Sequence, residues 1–196
     1  MASIINASTS GVGGVITTAD NSGNLNIQSG GSTKIAVTSA GVAVTGLAKA
    51  SLPTGSVLQV VSATYATETT NSTTTFADTG LTAAITPISS SSKILVLVSM
   101  CGVGVSAGAS NGGRFQLVRN STTICNIERM AGYTGTALVN YIGSVSTNYL
   151  DSPATTSSTT YKVQFSNRAA AATVIICTSD ATVNATSTIT LMEIAA

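Results

Sequence analysis

The run from Lys93 to Val105, KILVLVSMCGVGV, constrains this chain more than any other stretch. Ile94 to Val98 gives five continuous apolar residues, and Met100, Cys101, Val103 and Val105 extend them. A membrane-spanning helix needs about 20 such residues. A half-buried helix would repeat at i, i+3 and i+4, and that spacing is missing. Apolar side chains occupy both parities, as in a strand covered on both faces. Turn-rich Ser89–Ser92 and Ser106–Gly113 bound the run. It reads as the central strand of a β-sandwich, with Val96 and Leu97 on opposite covered faces.

The chain before this strand falls into two parts. In residues 1–46 short alternating pieces are cut by turns. Val15–Thr18 precedes the turn Asp20–Asn24, and Leu25 and Ile27 alternate with Asn26 and Gln28. After Gly30–Gly31 come Ile35 and Val37, then a turn at Ser39–Gly41, then Val42 and Val44. These are hairpin signals. A hairpin with so few large apolar residues is marginal alone in water. The segment therefore reads as an extended β arm for anchoring to other chains. Its expected interface is Val15, Leu25, Ile27, Ile35, Val37, Val42 and Val44, and its only charges are Asp20 and Lys34. Residues 47–55, with the first proline, read as a linker.

Residues 56–196 read as a β-sandwich or jelly-roll-like head. Strand patterns lie at Ser56–Thr67, Thr73–Ala77, Leu81–Thr86, Arg114–Arg119, Thr122–Glu128, Ala137–Val145, Thr160–Ser166, Thr173–Cys177 and Ser187–Ile194. With the central strand these are ten stretches, read as about eight or nine strands with turns between, and no amphipathic helix is seen. The expected fold class is all-β. A unit of about 140 residues buries roughly 68% of its unfolded surface and needs no staple.

Only 8% of residues are charged, against about 25% in ordinary domains. Ser, Thr, Asn and Gly replace them, which suits β-structure and protein-covered surfaces. Eight Lys and Arg scattered along the chain do not suit nucleic acid. Nothing reads as a membrane segment, and the N-terminus lacks a secretion signal. Cys101, Cys125 and Cys177 are far apart, without a C-x-x-C spacing. They read as reduced, structural thiols from a chain folded in a reducing cytoplasm, with Ser a worse replacement than Ala where buried.

GVITTADNSGNLNIQSGGSTKIAVTSAGVAVTG resembles the Gly- and Thr-rich lead-in of many tailed-bacteriophage fibre-like virion proteins. PTGSVLQVVSATYATETTNSTTTFADTGLTAAITPISSSSKILVLVSM, with GRFQLVRNSTTI after it, is similar to the head domain that follows in such proteins. These phrases lie between residue 14 and about residue 125 and mark no chemical site. The resemblance implies a homotrimeric virion component folded in the host cytoplasm, with the arm, residues 1–46, as its trimerisation element. Some members of that group are fibres that touch the host, and others are decoration or cement proteins on the capsid.

The residues offer little chemistry. With no histidine, a Ser-His-Asp or Cys-His device within one chain is excluded. Asp20, Glu68, Asp78, Glu128, Asp151, Asp180 and Glu193 read mostly as solvated turn and strand-end acids rather than a glycosidase pair. Asp20–Asn24 fails the calcium-loop spacing, and Gly11–Gly14 leads to no phosphate loop. Arg114, Arg119, Glu128 and Arg129 read as strand-edge pairs or an inter-subunit pair. Tyr133, Tyr141 and Tyr149 read as core-and-rim packing, with a sugar platform as the alternative. No catalytic, cofactor or metal residue is expected.

The favoured reading is a trimeric capsid decoration (cement) protein gripping the major capsid protein. The chain is short, and no attachment domain or shaft repeat is seen before the arm. The alternative is a short trimeric tail fibre, joined to a tail or baseplate protein and touching a host surface glycan. A sugar-cleaving depolymerase ranks third.

Overall fold

A computed structural model describes residues 25–44, 52–106, 108–170, 172–179 and 182–196. The chain divides into two compact units, Met1–Ala48 and Lys49–Ala196. The division falls within the stretch read as a linker. Every named element is a β-strand and every pairing is antiparallel.

In the first unit, β1 (Leu25–Ser29), β2 (Ser32–Thr38) and β3 (Gly41–Val44) form a three-stranded meander. Both turns use left-handed glycine, at Gly30 and Gly31 and again at Gly41, a conformation that costs glycine nothing. Val15 and the Asp20–Asn24 turn lie outside the described residues.

The second unit is a two-layer β-sandwich. Its six-stranded sheet contains β4 (Val57–Tyr65), β5 (Thr69–Asn71), β7 (Lys93–Ser106), β10 (Asn140–Asp151), β12 (Thr173–Ile176) and β13 (Ser187–Ile194). The facing sheet runs β6 (Ala77–Ile85), β11 (Thr159–Asn167), β8 (Asn111–Arg119), β9 (Thr122–Thr134). Alternate residues of each strand enter the layer between the sheets. Ile94, Val96, Val98 and Met100 from β7 meet Leu81, Phe115, Leu117, Tyr161, Val163 and Phe165 from the other sheet. Full burial of such side chains stabilises by about 1.5–3 kcal/mol each, so this unit holds a core of its own.

The central strand is β7. One edge pairs with β10 from Ile94 to Val105, while the other pairs first with β13 and then with β12. The change of partner falls at Gly102, whose φ is +60°. A Cβ there would meet the Thr178 amide nitrogen at 2.5 Å, so only glycine fits. The gap between β13 and β12 is bridged by Cys177 N to Cys101 O at 2.9 Å and Thr178 N to Gly102 O at 3.2 Å.

Coverage of β7 is one-sided, against the expectation from its sequence. Val96 is fully buried, but Leu95, Leu97, Ser99 and Cys101 are half-buried on the sheet's outer face. There the register aligns Val60, Met192, Leu95 and Leu150 in one row across four strands. The next row is Ser62, Thr190, Leu97 and Asn148, and the third is Thr64, Thr188, Ser99 and Ser146. These alternate with inward residues such as Leu191 and Ile189, which are buried.

Two other strand expectations are corrected. Thr73–Ala77 is largely a turn, and the strand before it is β5. The Asn71 side chain accepts the Thr73 amide at 2.8 Å and donates to the Thr75 carbonyl at 3.0 Å. An Asn that bonds to the backbone just ahead of it competes with a strand ladder. The strand expected at Ala137–Val145 runs instead over Asn140–Asp151, because its ladder follows β7 to Ile94.

Candidate interaction surface

The arm sheet brings its apolar residues to one face. Ile35 lies between Ile27 and Val44, and Val37 between Leu25 and Val42. Side chains alternate along each strand, so these six share a side, while Asn26, Lys34 and Ala36 take the opposite parity. Leu25 is 60% exposed, Ile27 51%, Val42 67% and Val44 50%; Val37 is also exposed, and Ile35 is half-buried between its neighbours. A one-layer sheet cannot cover its own apolar face, and stable domains pack such faces against a second layer. Covering each residue would stabilise by about 1 kcal/mol. Six of the seven expected arm residues are thus gathered on one surface; Val15 lies outside the described residues.

Several polar side chains of the second unit hold the fold together. Arg119 from β8 donates one guanidinium nitrogen to both carboxylate oxygens of Asp151 on β10, at 2.8 Å each. The Tyr161 hydroxyl donates to the same carboxylate at 2.6 Å. Tyr161 is fully buried; that burial, with the Asp151 charge beside it, pushes its phenol well above the ordinary value. This cluster ties the two sheets together.

Glu193 is fully buried on the inner face of β13. Its carboxylate accepts Gln59 Nε2 at 2.5 Å and the Ile88 amide at 2.7 Å, fastening the chain between β6 and β7. Burial raises its proton affinity. The Ser92 hydroxyl beside it, Gln59 and the amides of Ile88 and Ser89 lower it, and the lowering wins. Asp78 accepts Lys162 at 2.8 Å and Gln164 at 2.7 Å; the Lys162 bond holds its carboxyl below the ordinary value.

These contacts correct two expectations. Asp151 and Glu193 are buried and bonded rather than solvated. Arg119 pairs with Asp151 rather than Glu128, whose carboxylate caps the amides of Arg129 and Met130. Arg114 bonds to Ser166 and to the Thr74 carbonyl and lies over the Phe76 ring. Asp20 and Asp180 lie outside the described residues. Among the described residues no three His, Cys, Asp or Glu gather where they would hold a metal ion. Cys101, Cys125 and Cys177 are free thiols.

Two of the three tyrosines stand out from the surface. Tyr133 near the end of β9 and Tyr141 near the start of β10 are exposed, and the Arg168 guanidinium lies over the Tyr133 ring at 5.4 Å. Tyr149 packs half-buried against the core. Alternation along the strands could not separate them, because bulges shift the register between Tyr141 and Ser144. No protein-family model matches the chain, and no curated protein matches its sequence.

Proposed function

We propose that this chain is a non-enzymatic structural protein of a tailed-phage virion, a homotrimer that decorates and cements the capsid shell. The observation that carries the reading is the one-sided apolar sheet of the arm. A surface of aligned Leu, Ile and Val without charge is suited to burial against protein. Sister chains present the same surface, and a closed three-fold assembly leaves none of it open. The sequence resemblance supplies the phage context and the trimer. The low charge of the whole chain agrees with surfaces that meet other proteins.

The test is depletion and add-back. Particles lacking the protein should assemble but release their DNA at lower temperature than complete ones, and added protein should restore their resistance. Equal heat resistance with loss of adsorption to cells would favour the short tail fibre. One observation speaks for that second reading: exposed Tyr133 and Tyr141, with Arg168 over one ring, resemble the aromatic platforms on which sugars stack. Copy number separates the two as well, because a shell protein is far more abundant in the particle than a tail protein.

A further inference from the structure

The strand β7 is apolar on both parities, yet from Ile94 to Cys101 the described residues fully bury only one of them and leave Leu95 and Leu97 half-buried. That half-open side carries the row Val60, Met192, Leu95 and Leu150, in register across four strands. Val60 is 55% and Leu150 51% exposed, and they stand at the two ends of that row. Beside the row lies a shallow depression lined in part by Leu97, Ser146 and Asn148. No charged residue occurs in this row or in the two that follow it toward Ser99, while the row on its other side, Val57, Ile194 and Lys93, carries one exposed lysine.

We infer that this outer face is where the heads of sister chains pack on one another. The occupant is a second copy of this chain, and the inference rests on the association of arms proposed above. Three features select it. Three adjoining rows without charge, bordered by the single Lys93, offer little to nucleic acid or to a charged protein surface but suit another copy of the same face. Apolar knobs at the row's ends and a depression beside it give one surface both halves of a fit. The third feature is size. Four strands and eight residues along β7 span a flat area of about 500 Å². A stable interface between free partners takes about 800 Å² from each, so a freely diffusing protein would be held poorly. A head tethered through associated arms is presented at an effective concentration of about a millimolar, where a smaller face suffices.

The test uses the full chain and the reactivity of Met192, the thioether in the middle of the row. Peroxide oxidation is followed by peptide mass spectrometry, with exposed Met130 as the internal reference. Wild-type protein is compared with Val60→Lys/Leu150→Lys and with the conservative Val60→Ile/Leu150→Met. The lysines replace half-exposed side chains, so the fold should survive, while their charges would be desolvated at a packed face. Met192 should oxidise several-fold more slowly in wild type and the conservative variant than in the lysine variant, with Met130 unchanged. Equal Met192 rates in an oligomer proved by light scattering would overturn the inference and leave arm association standing. A monomeric wild-type chain would overturn the arm reading, and this inference with it. Val60→Cys, close to valine in size, gives a second readout should the lysine variant not fold. Slow maleimide labelling in the oligomer supports the packed face, and labelling as fast as a free surface thiol refutes it.

Discussion

At Glu193, burial and hydrogen bonding act in opposite directions on one carboxyl, and hydrogen bonding prevails. Its folded-state value lies below the ordinary 4.5, so the charged form is favoured by folding. The resulting stability is present above that value and is lost as pH falls through the lower, folded one. Glu193→Gln keeps the shape but turns an amide donor toward Gln59 and the loop amides. It should cost about 1–3 kcal/mol at neutral pH, and its melting temperature should fall less than wild type on acidification. An acid limb identical to wild type would mean that other carboxylates carry the transition. Cys177 revises an expectation drawn from burial alone. Its thiol lies 3.3 Å from the Tyr65 carbonyl and 3.2 Å from the Ser187 hydroxyl. A serine there inherits partners, so Cys177→Ser should melt no lower than Cys177→Ala, the reverse of the rule for an apolar pocket.

At the scale of the element, β7 has two faces with different owners. Val96 meets the core of its own chain, whereas Leu97 is half-buried on the outer face. Val96→Asp buries a carboxylate without a partner and should cost several kcal/mol, abolishing the cooperative transition. Leu97→Asp should cost the isolated fold only about 1–2 kcal/mol while weakening packing between heads. Thermal melts paired with light scattering separate the two effects. Equal melting losses for both variants would mean that the two faces are equally enclosed within one chain.

At the scale of the whole molecule, the second unit holds a core, and the described strands of the first hold none. A fragment starting at Thr54 retains every strand of both sandwich sheets and should unfold in a single cooperative transition followed by circular dichroism. It should not join depleted particles, because the arm is absent. Residues 1–46 alone should show no stable sheet while monomeric, since among the described residues the arm's apolar face has no second layer. Full binding of the Thr54 fragment to depleted particles would remove the anchoring role from the arm, and with it the main reason to place cement above fibre.

What the sequence determined by itself is most of the strands and the parity of their apolar residues. Leu25 and Ile27, Ile35 and Val37, and Val42 and Val44 announce the three arm strands, and Ile94–Val98 announces the central one. Alternation of side chains is a local property of extended backbone, so it is written in adjacent residues. That six apolar residues of the arm share one face was legible for the same reason. Only the tertiary structure decided which faces are covered and which acids are buried. Glu193 meets Gln59 and Ile88 across 134 and 105 residues of chain; Asp151 meets Arg119 across 32. Thr73–Ala77 looked like a strand until Asn71, anchored to the Phe165 carbonyl at 2.8 Å, drew it into a turn. The second apolar face of β7 was also visible in the sequence. That the described residues leave this face half-open follows from the number of layers, which no local pattern records.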